Sequence, residues 1–133
     1  MPQFSVNIVT EVDEGFVKDF MDTVSDASAY WARVKVLEHY ASEDDWSSVK
    51  KVRIKELEAS EEGGVKTYEF DAESVILGIK RVLERNDKGE YLTNEAIRKS
   101  VMQAVVDNDL CHMDVWDVDC VVQAAMFNEI VYG

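Results

Sequence analysis

The chain has 133 residues, a net charge of −13, and 47% apolar against 31% charged side chains. That balance excludes a disordered chain and predicts one domain, residues 1–133, with a single core. The negative field opposes direct nucleic-acid binding, and no apolar run approaches the ~20 residues that span a bilayer.

Phe4, Val6 and Ile8 alternate with Ser5 and Asn7, which predicts a short first strand. Asp13 caps a helix whose apolar face is Phe16, Val17, Phe20, Met21 and Val24. That helix ends over residues 25–28. Two alternating segments follow, residues 31–37 and 50–57, separated by the polar stretch 41–48 with Trp46. Gly63-Gly64 supplies a hairpin turn into a third alternating segment, residues 65–70.

The remainder reads as helical. Asp71 caps a helix with the stripe Val75, Ile76, Ile79, Val82 and Leu83, and Gly78 inside it predicts close approach of another backbone. Residues 86–89 break that helix. Thr93 is the expected cap of the next, which buries Ile97, Val101, Ala104 and Val105. Asp114 opens the last helix, apolar nearly all round from Val115 to Val131 and therefore the most buried. The order β-α-β-β-β-α-α-α predicts an α+β fold: an antiparallel three- to four-stranded sheet with helices packed on one face.

Charge is unevenly spread. Residues 1–49 carry a net −7, residues 50–100 are neutral, and residues 101–133 carry −6. Against that background the alternation of the two middle segments stands out. Ala32, Val34, Val36, Val52 and Ile54 form apolar rows, while Trp31, Arg33, Lys35, Lys51, Arg53 and Lys55 fall on the opposite face if the segments pair. Guanidinium and ammonium groups bind phosphate, and an indole offers a stacking surface for a base. The competing reading is a solvated face neutralised by Glu38, Glu56, Glu58 and Glu69. Lys80, Arg81, Arg85, Arg98 and Lys99 read as the polar faces of two helices.

The search for catalytic motifs is negative. The chain has no Gly-rich phosphate loop, no G-x-S-x-G, no H-E-x-x-H and no C-x-x-C, so no catalytic residue, metal ligand or cofactor is assigned. Cys111, His112, Asp114 and Cys120 match no common zinc spacing, and the two cysteines read as small core residues with free thiols. The acids from Asp107 to Asp119 fail the EF-hand pattern, because His112 and Val118 stand where Gly and Glu are required. They read instead as a helix-terminal loop and a cap.

The C-terminal stretch Asp119-Cys120-Val121-Val122-Gln123-Ala124-Ala125-Met126-Phe127-Asn128-Glu129-Ile130-Val131-Tyr132-Gly133, together with Tyr30-Trp31-Ala32, resembles a family of small phage and prophage proteins. These combine an aromatic pair at a strand start with a terminal helix ending in E-I-V-Y-G or E-I-V-F-G. Residues 41–48 and 86–92 are not part of that pattern. The resemblance brings no family activity; it implies a compact viral accessory protein acting inside a bacterium.

Joined to the basic aromatic face, this context predicts an anti-defence protein that sequesters a small anionic nucleotide signal without catalysis. The expected ligand-binding residues are Tyr30, Trp31, Arg33, Lys35, Arg53, Lys55 and Tyr132. The alternative is an acidic protein–protein inhibitor of a host nucleic-acid-binding defence enzyme, motivated by the charge of the two ends. No secretory pattern is visible at the N-terminus, so the expected location is the host cytoplasm, with no membrane partner. The sheet's open face and edge, and an apolar terminal helix, predict a homo-oligomer with Tyr132 near the interface.

Overall fold

Asp13 accepts a hydrogen bond from the Phe16 N–H at 2.9 Å and starts α1, Glu14–Ala27, as its sequence predicts. The structure is a computed structural model and describes residues 11–40, 48–57 and 66–133. The strand expected at Phe4–Ile8, the Trp46 stretch and the Gly63-Gly64 turn lie outside the described residues. Phe16, Val17, Phe20, Met21 and Val24 of α1 are all buried. Removing such side chains from water contributes roughly 1.5–3 kcal/mol each, which is what holds α1 against its neighbours.

Three antiparallel strands follow in the order β1-β2-β3: β1 is Ala32–His39, β2 is Val49–Glu56 and β3 is Thr67–Phe70. The β1–β2 register sets Val34 opposite Ile54 and Val36 opposite Val52, with an irregularity at Leu37. On β3, Phe70 lies opposite Val52. Val52, Ile54 and Phe70 are fully buried, and Phe20 of α1 stacks on Phe70 with ring centroids 6.3 Å apart. The fold is α+β, with helices packed against this antiparallel sheet.

Helix α2, Ala72–Leu83, begins at a capping box in which Asp71 and Ser74 each bond the other's backbone N–H. Helix α3, Glu95–Asp107, is capped by Asn94, whose side chain accepts from the Ile97 N–H at 2.9 Å. The expected cap, Thr93, is one residue early, and its hydroxyl is buried without a partner among the described residues. A single 3-10 turn, Leu110–His112, leads to α4, Val115–Phe127, whose own capping box joins Asp114 and Asp117. Residues Asp117 to Ala124 are buried on every side of α4, as expected of the central helix.

Two features lock α4 to α2. At Gly78 an added Cβ would stand 2.3 Å from the Val121 carbonyl oxygen, so the expected close approach of a second backbone is real. Arg81, placed by sequence on a polar face, instead donates from Nη1 to the carbonyls of Ala124 and Ala125, at 3.1 and 2.8 Å. A cation there complements the partial negative charge of the carbonyls at the helix end.

The last helix is shorter than expected. It stops at Phe127, because Asn128 takes a left-handed conformation with φ 56° and turns the chain. Residues 128–133 then fold back along the molecule rather than running past the core. No helix among the described residues is long and apolar enough to cross a membrane.

Candidate ligand site on the sheet

Strand pairing brings four cations of the expected site together. Arg33 lies directly opposite Lys55, and Lys35 directly opposite Arg53, on the face turned away from Val52 and Ile54. All four are exposed. Among the described residues none has a carboxylate within ion-pair distance. Like charges set opposite one another across strands are unfavourable by roughly 0.2–1 kcal/mol per pair, so this arrangement weakens the sheet it decorates.

The acids expected to neutralise the face divide by position. Glu69 lies opposite Arg53 and pairs with Lys51 at 3.7 Å. The irregularity at Leu37 brings Glu38 opposite Lys51 as well, so both carboxylates serve that end. Glu56 points the other way: it is buried and accepts from the Tyr132 hydroxyl at 2.7 Å. Glu58 lies outside the described residues.

Trp31 is not on the cationic face. It precedes β1 and is only 3% exposed. Its indole Nε1–H donates to Asp119 Oδ1 at 2.8 Å, which draws the ring toward α4. Tyr132 stacks on it almost parallel, at 4.9 Å and 8°, and Phe127 packs against both rings. Sequence parity places Trp31 with Arg33, but a buried hydrogen bond to a carboxylate outweighs strand alternation at a residue outside the ladder.

Asp119 organises this end of the molecule. Fully buried, it accepts from the Ser28 hydroxyl at 2.7 Å, from Trp31, from the Tyr30 hydroxyl at 2.5 Å and from Gln123 Nε2 at 2.7 Å. Four donors replace the water that a carboxylate would otherwise lose. Burial, and then the bond and charge of Asp119, raise the Tyr30 phenol above its ordinary 10.0, which keeps it protonated as a donor. Gln123 completes the arrangement: its Oε1 accepts from the N–H groups of Val131 and Tyr132, both at 2.8 Å, and its Nε2 donates to the Tyr132 carbonyl at 3.0 Å. The two polar side chains, four apart in the buried middle of α4, thereby hold the returning tail in place. Asp119 is neither part of a helix-terminal loop nor a cap, contrary to expectation.

Between these aromatics lies a pocket of about 190 Å³ lined by Tyr30, Trp31, Leu57, Tyr132 and Gly133. Its position relative to the cations follows from the strand period. Leu57 follows β2 two residues beyond Lys55, and its N–H donates to the Trp31 carbonyl at 3.0 Å, just past the last β1–β2 pair, Ala32 and Glu56. Leu57 is 50% exposed and Tyr30 51%. The cationic row therefore ends at a small aromatic pocket. Trp31 and Tyr132 contribute as its walls, while Leu57 and Gly133 were not among the expected residues.

The cysteines are unpaired: Cys120 is buried as expected, whereas Cys111 is exposed. Among the described residues no three His, Cys, Asp or Glu side chains converge as a metal site. Comparison with protein-family models, curated proteins and solved structures finds no match to this chain.

Proposed function

We propose that this protein binds and sequesters a phosphate-bearing, nucleotide-type ligand without catalysis. The phosphate would lie on the Arg33–Lys55 and Lys35–Arg53 pairs and the base at the pocket where the row ends. The observation that carries this reading is the juxtaposition of four cations with no carboxylate at ion-pair distance among the described residues, on a chain of 27 acidic side chains. Cross-strand repulsion within each pair opposes that arrangement, whereas an anion would relieve it through charge-assisted bonds. The exposed Tyr30 ring and Leu57 at the pocket mouth give a flat apolar group somewhere to rest.

The phage-like terminal sequence supplies the biological setting of the proposal: the ligand is a signal nucleotide of bacterial defence, held intact in the host cytoplasm. Two sparse cationic faces would make one fuller site in a homodimer. The test is recovery. Protein incubated with cyclic dinucleotides and cyclic ADP-ribose isomers, desalted and denatured, should release one of them unchanged by mass spectrometry. Release of a hydrolysed product would assign a hydrolase instead, and release of nothing would remove the nucleotide reading.

A further inference from the structure

A second concave surface lies on other elements and carries the opposite charge. It is a groove of about 580 Å³ between the outward side of α1 and the segment from Asp109 to Val118. Leu110, Met113 and Val115 give it an apolar floor, and Val115, the first residue of α4, is 52% exposed. Asp19 and Asp22 edge it from α1, Asp109 and Asp114 from the other side, and no lysine or arginine lines it.

The carboxylates face outward with capacity to spare. Asp22 accepts from the Val49 N–H through Oδ1, and Asp114 caps α4 through Oδ1. Asp19, Asp22 and Asp114 each keep at least one oxygen without a partner among the described residues. The Cys111 N–H bonds Asp109 at 2.9 Å and holds its carboxyl below the ordinary range. The four carboxylates belong to separate caps and helix positions and do not converge as a metal site.

We infer that this groove docks a basic amphipathic segment of a partner protein, its apolar side chains on the Leu110–Val115 floor and its lysines or arginines against the acidic rim. Charge complementarity selects that occupant. A second copy would bring the same acidic rim and a net −13, and a nucleic acid would bring more negative charge. The groove volume falls in the range of clefts that admit several side chains, as a helix-in-groove contact requires. This inference does not depend on the cationic face, which lies on β1 and β2.

The test uses two synthetic helical peptides of about 15 residues, each with one leucine stripe, flanked by lysines in one and by glutamates in the other. In amide NMR spectra of the whole chain, the lysine peptide should shift Thr23, Cys111 and Val118, and the glutamate peptide should not. Asp19→Lys, an exposed position on α1, should weaken the lysine peptide by about tenfold or more. Asp87→Lys makes the same change in net charge in the connection between α2 and α3, outside the groove lining, and should weaken it by less than about threefold. Val115→Gln should weaken binding while leaving the fold intact, since it alters an exposed floor residue. Equal losses in the Asp19 and Asp87 variants, or shifts scattered over the surface, would reduce the effect to general charge and overturn the assignment. Self-association abolished by Asp19→Lys would assign the groove to a second copy and overturn it equally.

Discussion

A Cβ on Gly78 would meet the Val121 carbonyl oxygen at 2.3 Å and Val121 Cγ1 at 2.8 Å, both on the central helix. Alanine is the better helix former by about 1 kcal/mol, so propensity alone predicts a more stable protein. The clash is with backbone, and α2 cannot move without opening the packing at Val75, Ile79 and Val82. Overpacking of this kind costs about 1–3 kcal/mol and should win. Chemical denaturation of Gly78→Ala should therefore show a net loss of stability; a gain would mean that the helices separate freely.

The second residue-scale prediction concerns Cys120, fully buried in α4. Burial, followed by the neighbouring Asp119 charge, pushes its thiol from 9.0 up to about 12. As pH rises past 9 the unfolded chain loses this proton while the folded chain keeps it. Its contribution is thus complete below pH 9 and is lost between 9 and about 12, with a slope approaching 1.4 kcal/mol per pH unit. Tyr30, raised from 10.0, adds to the loss at higher pH. Denaturation at about pH 8 and about pH 10.5 should show a smaller difference for Cys120→Ala than for the native protein. An unchanged difference would mean that the thiol is solvated.

At the scale of elements, the tail is held by side chains of α4 rather than by secondary structure. Gln123→Leu would leave the Val131 and Tyr132 N–H groups without their acceptor and Asp119 with one donor fewer. Lost bonds of this kind cost about 1–3 kcal/mol where groups stay buried, and a short tail has the cheaper option of detaching. Amide exchange at Val131 and Tyr132 should accelerate while α4 stays protected. Retained protection at those amides would show that the Tyr132–Trp31 stack alone suffices.

The elements differ in how far they were legible from sequence. β1 and β2 announce themselves because period-two alternation is local, and the same alternation identifies the four cations. The caps at Asp13, Asp71 and Asp114 are equally local, whereas Thr93 and Asn94 offer competing caps that only packing decides. The end of α4 is hidden, since Glu129-Ile130-Val131-Tyr132 suits a helix and a single left-handed residue at Asn128 overrules it. Trp31 was misplaced because its orientation depends on Asp119, 88 positions away. A readable signal was there nonetheless: Asp119 and Gln123, one turn apart in an apolar helix, mark a buried polar network.

For the whole molecule, the returning tail changes the case for assembly. Tyr132 covers Trp31 within one chain, so neither ring needs a partner to leave water. What remains in favour of a homodimer is a sheet face and edges that, among the described residues, no other element covers. Light scattering should give twice 15.1 kDa if paired faces share a ligand, and Arg53→Glu should alter that mass. A particle of 15.1 kDa with and without ligand would leave each face to act alone.

The cationic face is the centre of this account, and calorimetric titration tests it most directly. Native protein titrated with cyclic dinucleotides and cyclic ADP-ribose isomers should give saturable heat with at least one of them. Arg53→Ala should weaken that complex by about 1.5–3 kcal/mol, the range for a charge-assisted hydrogen bond. Absence of binding at high micromolar ligand, or binding that Arg53→Ala leaves untouched, would contradict the assignment of this face as the site.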